Sequence, residues 1–170
     1  MYLCSMKSLW RVVRVLSRKE KVVAERLEKK GIIVYLPMQK QLRQWSDRKK
    51  WVDVVVVSGY VFVKIVKTEQ APVLETPGVS RFLMHCGVPV CISDSEMEHF
   101  KSFVEKADNR NIEFTTESIS VGTTITIQTG RFKGFCGEVI EYKNKRKLSV
   151  QLSGFGHFFI TLSAEDVLAN

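Results

Sequence analysis

The chain has 170 residues, of which 26 are Lys or Arg and 18 are Asp or Glu, so its formal net charge is +8. Hydrophobic residues make up 45% of the sequence and include 10 phenylalanines. This composition is sufficient for a packed core and excludes an intrinsically disordered chain. The length fits one medium domain or two small ones.

The sequence predicts neither a secreted nor a membrane protein. Residues 1–8 contain no apolar core of a signal peptide. The longest apolar stretch, 54–63, is interrupted by Ser58 and Gly59 and is much shorter than the roughly 20 residues of a membrane helix. The four cysteines show no CxxC spacing, so neither a disulfide framework nor a zinc ribbon is predicted. We therefore expect a cytoplasmic protein.

The positive charge is concentrated in the first half of the chain. Residues 1–86 carry a net charge of +10, residues 87–118 carry −4, and residues 119–170 carry +2. A basic segment, an acidic connector and a nearly neutral tail indicate two modules with different partners.

The first predicted elements are a strand, a helix and a second strand. Residues 9–16 are apolar and β-branched, which is typical of a buried strand. Ser17 and Glu20 have the spacing of a capping box that would open a helix over 18–30. Gly31 stands where a helix needs a left-handed residue at its end, and a strand over 32–36 follows.

A hairpin is predicted over 39–57, with a polar turn at 46–48. A strand over 59–66, a short helix over 68–75 and a strand over 79–84 complete an α+β sandwich, which we assign to a domain over 9–107.

The rest of the chain changes from helix to short strands. Ser93 and Glu96 form a second predicted capping box, which opens a helix with an acidic interior. Residues 108–120 lack an apolar period and are predicted to be a linker. Short alternating strands punctuated by glycines predict a small SH3-like β-barrel over 121–170.

No motif of an enzyme is present. His85, Cys86, Cys91 and His99 lack the paired spacing of a zinc site. No thiol or hydroxyl can be matched with a base from the sequence, and no glycine-rich phosphate-binding loop occurs. We therefore expect no catalytic residue, no bound metal and no cofactor.

The predicted hairpin is the strongest candidate for nucleic-acid contact. Its cations are Lys40, Arg43, Arg48, Lys49 and Lys50, and a two-stranded tip with several cations can follow phosphates. Trp45 and Trp51 could stack on bases or pack inward as core.

A second candidate is a set of aromatic residues on successive predicted strands, namely Trp10, Tyr35, Tyr60, Phe62 and Phe82. Alternation places Tyr60 and Phe62 on one face of their strand. These rings could fill the domain's own core or form an exposed apolar groove for a helix tip of a partner.

Three stretches, residues 10–22, 58–63 and 76–82, in this order resemble the N-terminal domain of NusG-type transcription elongation factors. The stretch 121–139 resembles the KOW motif that follows that domain, with Gly130, Lys133, Gly134 and Gly137 at its glycine-rich turn and strand. Residues 44–48 are most similar to specialised NusG paralogues of the UpxY type, which act on polysaccharide operons. Family members commonly have a proline where this chain has Ser58.

The resemblance implies a two-domain, non-enzymatic transcription elongation and antitermination factor. Its N-terminal domain would bind the clamp helices of RNA polymerase through a cavity that Trp10, Tyr60, Phe62 and Phe82 line or support. Thr68, Glu69 and Gln70 would lie toward the opposite pincer of the polymerase.

The hairpin would then face the non-template DNA strand near the upstream fork. The KOW domain would dock another factor or a ribosomal protein, and a monomer is expected. One alternative is a KOW-containing RNA-binding or ribosome-associated protein without polymerase contact, which would use a basic turn at 143–147. A DNA-processing enzyme would need a cluster of acids or metal ligands that the sequence does not show.

Overall fold

The computed structural model describes residues 7–120 and 122–163. Val121 and residues 164–170 of the predicted C-terminal domain therefore lie outside the described residues. The strands are β1 (Leu9–Val15), β2 (Ile33–Tyr35), β3 (Met38–Gln44), β4 (Lys49–Val55), β5 (Tyr60–Ile65), β6 (Val79–Phe82), β7 (Met84–His85), β8 (Val88–Pro89), β9 (Cys91–Ile92), β10 (Glu113–Thr115), β11 (Thr123–Thr126), β12 (Cys136–Tyr142), β13 (Lys145–Leu152) and β14 (Gly156–Thr161). The helices are α1 (Glu20–Lys29), α2 (Gln70–Leu74), which follows a 3-10 turn at Lys67–Glu69, and α3 (Asp94–Ala107).

The chain forms two compact units that alternate along the sequence. The first unit contains the described residues up to Met38, together with Val55–His99 and Ser153–Phe155. The second contains Gln39–Val54, the described residues of Phe100–Leu152, and the described residues from Gly156 onward. The predicted domain boundaries at 107 and 121 stay a prediction.

The first unit is built on an antiparallel sheet with strand order β2-β5-β1-β6, and β9 also pairs with β1. Because side chains alternate along a strand, Val61 and Val63 of β5 face the same side as Val13 of β1. There they pack with Val23 and Leu27 of α1, and all five side chains are fully buried. This apolar layer between sheet and helix is the core of the unit.

The predicted capping box at the start of α1 is wrong. The N-cap of α1 is Lys19, with no side-chain hydrogen bond. The carboxylate of Glu20 is instead buried and accepts the backbone N–H of Gly59 at 2.7 Å. Gly31 does have the expected left-handed backbone, with φ of +80°.

The second predicted capping box is present at the start of α3. The backbone N–H of Ser93 donates to the Glu96 carboxylate at 2.9 Å, and the N–H of Glu96 donates to Ser93 Oγ at 3.2 Å. The N-terminal turn of α3 therefore has its free amides satisfied as the sequence predicts.

The second unit contains a five-stranded antiparallel sheet with strand order β10-β14-β13-β12-β11. β10 lies inside the segment predicted as a linker and pairs with β14. Phenylalanines fill the core of this unit. Phe100 of α3 lies 4.4 Å from Phe158, and Phe103 lies 6.3 Å from Phe132, between ring centroids.

Across the described residues, no helix is long and apolar enough to span a bilayer.

The glycines of the predicted KOW motif serve two different needs. Gly130 and Gly134 have φ of +73° and +79°, a backbone conformation that a side chain disfavours. Gly137 of β12 is buried without a positive φ, and a Cβ there would lie 2.6 Å from Leu148 Cδ1 and 3.2 Å from Phe135 Cε1. Packing therefore requires glycine at position 137.

We expect Gly137→Ala to lower the free energy of unfolding by about 1–3 kcal/mol, because the added methyl overpacks a core in which Leu148 is fully buried. Urea unfolding followed by circular dichroism measures this loss. Thr124→Ala, at an exposed position of neighbouring β11, is the matched control and should change stability by less than about 0.5 kcal/mol. Equal stability of both variants would contradict the packing argument.

Candidate functional site

The face of the first sheet opposite α1 carries aromatic side chains. Phe62 is fully buried, Trp10 is 3% exposed, and Tyr60 is half-buried. The pairing of Val12 with Phe62 and of Trp10 with Lys64 places these residues on one face by alternation. Trp10, Tyr60 and Phe62 thus share the surface predicted for a partner.

Phe155 covers this surface. Its ring lies 5.1 Å from the Tyr60 ring and 5.7 Å from the Phe62 ring, both in edge-on geometry, and it is 6% exposed. Edge-on aromatic pairs at this distance are favourable by about 0.5–1.5 kcal/mol beyond the area that they bury. Tyr60 and Phe62 form the aromatic cluster of the first unit, and the Phe155 ring is its cover.

Polar contacts of the preceding residues hold Phe155 in place. The backbone N–H of Ser153 donates to Glu96 Oε1 at 3.3 Å, and the Ser153 hydroxyl donates to the same oxygen. Gly154 has φ of +74°, which allows the chain to turn between the polar anchor and the buried ring. One carboxylate, Glu96, thus both caps α3 and anchors the segment Ser153–Phe155.

The electrostatics of Glu96 follow from these contacts. Burial alone would raise its pKa, but the hydrogen bonds that Ser153 and Ser93 donate favour the carboxylate more strongly. The pKa of Glu96 is therefore lowered below its ordinary value of 4.5.

The other predicted polymerase-contact residues do not join the aromatic cluster. Phe82 pairs with Val13 and lies in the core under α1, on the opposite side of the sheet. The end of β5 at Ile65 lies about 16 Å along the strand from Tyr60, at 3.3 Å per residue. The predicted contact residues Thr68, Glu69 and Gln70 follow that end. Glu69 caps its own turn by accepting the N–H of Val66 at 2.8 Å.

The predicted basic hairpin is formed by β3 and β4 in the second unit. The N–H of Trp45 donates to the carbonyl of Arg48 at 2.8 Å and closes its turn. Trp45 is 60% exposed and Trp51 is 49% exposed, so the tryptophans are not core residues. The predicted cations Lys40, Arg43, Arg48, Lys49 and Lys50 are all exposed.

Side-chain amides anchor the base of the hairpin. Gln39 is buried; its Nε2 donates to the carbonyls of Asp108 and Arg110, and its Oε1 accepts the N–H of Ile112 at 3.3 Å. Gln41 donates to the Asn111 side chain at 3.1 Å. No sequence motif indicated this anchor, because the partners are about 70 residues apart.

The basic turn at 143–147 is less available to RNA than its sequence indicates. Lys147 is 3% exposed, forms an ion pair with Glu113 at 2.6 Å, and lies 4.6 Å from the ring centroid of Phe159. Lys143, Lys145 and Arg146 are exposed. Lys147 therefore holds β10 in the sheet and is not a surface contact.

The described residues contain no cluster of His, Cys, Asp and Glu that could hold a metal ion. The described cysteines, Cys86, Cys91 and Cys136, are exposed free thiols.

Comparisons with known proteins give a consistent result. The family described as "Transcription termination factor nusG" matches residues 8–101. The "Transcription termination/antitermination protein NusG" of Halalkalibacterium halodurans is 27% identical over 166 residues, which is 89% of this chain and 92% of that protein.

Among solved structures, "Domain interaction in Thermotoga maritima NusG" has a TM-score of 0.54 at 22% identity, covering 95% of this chain and 97% of that chain. This likeness confirms the predicted fold class, an α+β part joined to a KOW-like β domain. The MjSpt4:Spt5 complex, at 24% identity, has a TM-score of 0.33, which is too low to support an inference.

Lowering the pH should release the Ser153 anchor only below pH 4.5. Because the pKa of Glu96 is lowered in the folded state, its stabilising effect is complete above 4.5 and is lost as the pH falls through the lowered pKa. We expect the Ser153 amide resonance to titrate with a midpoint below 4.5 in NMR spectra.

Glu96→Gln should abolish that titration, because a side-chain amide does not ionise and has only one acceptor oxygen. Glu98→Gln, two residues along α3, should leave the titration in place. A Ser153 midpoint at or above 4.5 would contradict the assignment.

Proposed function

Because this chain belongs to the NusG family of transcription termination and antitermination factors, we propose that it promotes processive transcription by binding RNA polymerase through its aromatic cluster. The family consists of transcription factors and not of enzymes. The observation that carries the proposal is the aromatic cluster of Tyr60 and Phe62 on the sheet face opposite α1, with the Phe155 ring packed against it.

The cluster has the chemistry of an exchangeable apolar site. Protein interfaces derive most of their affinity from a few aromatic and aliphatic anchors in desolvated pockets. Phe155 shows that this surface accepts an apolar side chain, with ring centroids 5.1 Å and 5.7 Å away. An apolar residue at the tip of the polymerase clamp helices would take the place of the Phe155 ring.

Exchange of Phe155 requires the contacts of its segment to be broken. These include the hydrogen bonds from Ser153 to the Glu96 carboxylate, and a hydrogen bond to a charged group contributes about 1.5–3 kcal/mol net. A polymerase surface would therefore compete if the apolar area that it buries offsets both these bonds and the loss of the Phe155 ring contacts.

The remaining surfaces extend the contact in other directions. Thr68, Glu69 and Gln70, at the far end of β5, would reach the opposite pincer of the polymerase, so that one sheet bridges the cleft. The exposed cations of the hairpin would contact the non-template DNA near the upstream fork. The KOW-like domain would dock another factor or a ribosomal protein.

We further propose that this monomer acts in the cytoplasm on polysaccharide-type operons, since residues 44–48 at the hairpin turn resemble the specialised paralogues. A protein that binds only RNA through the 143–147 turn is disfavoured, because Lys147 is buried in an ion pair. An RNA-only protein also has no use for the aromatic cluster.

Tyr60→Ala should weaken binding to core RNA polymerase roughly tenfold or more, as expected for an aromatic interface anchor. Affinity is measured by fluorescence anisotropy of the labelled full-length chain. Circular dichroism should show a folded protein, because Tyr60 is only half-buried. Tyr142→Ala, a half-buried tyrosine of the second unit, is the control and should bind as the unchanged chain does. Unchanged binding by folded Tyr60→Ala would refute the proposed contact.

Phe155→Ala should strengthen polymerase binding several-fold. Without the Phe155 ring, a larger fraction of the protein has an uncovered aromatic cluster that can bind polymerase, and the apparent Kd falls. Ser153→Ala, which removes one donor to Glu96, should act in the same direction with a smaller effect. Weaker binding by Phe155→Ala would show that Phe155 is itself a polymerase contact and would overturn the exchange.

A further inference from the structure

The hairpin has two faces that differ in composition. Two backbone hydrogen bonds define one uninterrupted register of β3 against β4. At the turn, the N–H of Trp45 donates to the Arg48 carbonyl, and at the base, the N–H of Val56 donates to the Pro37 carbonyl. In that register Arg43 lies opposite Lys50, and Leu42 lies opposite Trp51.

Burial along the strands agrees with this register. Gln39, Gln41, Val52 and Val54 fall on one face and are all buried or half-buried, whereas Lys40, Leu42, Trp51 and Asp53 fall on the other and are exposed. The first face therefore continues outward, beyond its anchored base, into the exposed residues Arg43, Trp45, Arg48 and Lys50. We name these four residues the tip face.

The tip face is positively charged. It carries three cations, and the carboxylates of residues 39–54 lie elsewhere, Asp47 in the turn and Asp53 on the opposite face. No carboxylate of the described part of the chain forms an ion pair with Arg43, Arg48 or Lys50. Like charges directly opposite one another, as at Arg43 and Lys50, destabilise a strand pair. An anionic ligand would remove that repulsion.

The aromatic member of the tip face selects the kind of anion. Trp45 is the most exposed tryptophan, at 60%, and its cross-strand neighbour is Arg48. A flat indole beside guanidinium groups suits a base stacked on the ring with its phosphates on the cations. Such stacking needs an unpaired base, since the faces of paired bases are already covered within a duplex.

We propose that the tip face is a binding site for an unpaired DNA strand, in which Trp45 stacks on a base and Arg43, Arg48 and Lys50 contact the flanking phosphates. The DNA assignment rests on the proposed function, which turns the hairpin toward the non-template strand. Trp51, on the opposite face beside Leu42, takes no part in this site.

The test is the binding of the full-length chain to a fluorescent oligo(dT) 12-mer without polymerase. Trp45→Ala should weaken binding roughly 5- to 150-fold, the range for loss of one stacked base. Trp51→Ala, a tryptophan of similar exposure on the other face, should bind as the unchanged chain does. Both positions are exposed, and circular dichroism should show that both variants are folded.

A second pair of variants tests the phosphate contacts. Lys50→Ala should reduce the slope of log K against log salt concentration by about 0.7, the value for one phosphate contact on a single strand. Lys21→Ala, which removes an exposed cation of α1 outside the hairpin, should leave the slope unchanged.

Tryptophan fluorescence tests the stacking directly. In Trp51→Phe, oligo(dT) should quench the fluorescence of Trp45, while in Trp45→Phe quenching should be absent.

Equal losses in Trp45→Ala and Trp51→Ala, or duplex DNA binding as tightly as oligo(dT), would overturn the site. Tighter binding of oligo(rU) than of oligo(dT) would overturn the DNA assignment in favour of RNA. Because the assay contains no polymerase, its failure leaves the Tyr60 contact standing. Conversely, failure of the Tyr60→Ala test leaves the stacking result standing.

Discussion

The two-residue period of β5 is the constraint on which the first unit depends. Val61 and Val63 point into the layer under α1 and are fully buried. The intervening positions, Tyr60 and Phe62, must then lie on the opposite face. One strand thus builds the core with its odd-numbered residues and the aromatic cluster with its even-numbered ones. A shift of one residue in its pairing with β1 would destroy both surfaces together.

The cover over the aromatic cluster differs in kind from the core. The core under α1 is formed by side chains of the sheet strands and of α1 itself. Separating α1 from the sheet would therefore unfold the unit. Phe155 instead reaches the cluster from the short segment Ser153–Phe155, which connects β13 to β14 and in which Ser153 donates to the Glu96 carboxylate. Local opening costs far less than global unfolding where few contacts hold a segment. Under the proposed function, this difference would leave the same apolar surface stable when covered and available for exchange.

Local patterns in the sequence predicted the elements well, whereas distant contacts could not be predicted. The strands, the hairpin and the capping box at Ser93 depend on neighbouring residues, and the structure contains them. The capping box at Ser17 is wrong because Glu20 has a better partner in Gly59, 39 residues away. The roles of Phe155 and Lys147 were missed for the same reason, since a single ring or cation carries no local signal of its distant partner.

In the proposed hairpin site, the residues that would bind DNA are separate from the residues that stabilise the hairpin. Its base is fixed by the hydrogen bonds of Gln39, a buried amide whose donor and acceptor both find backbone partners. Buried amides satisfied in this way set a direction, because hydrogen bonds are directional and apolar packing is not. The tip residues make no contribution to that anchor. Substitutions of Trp45 and its neighbouring cations would therefore change the proposed DNA binding without weakening the anchor. In the proposed site, the anchor would determine which face of the tip meets the DNA.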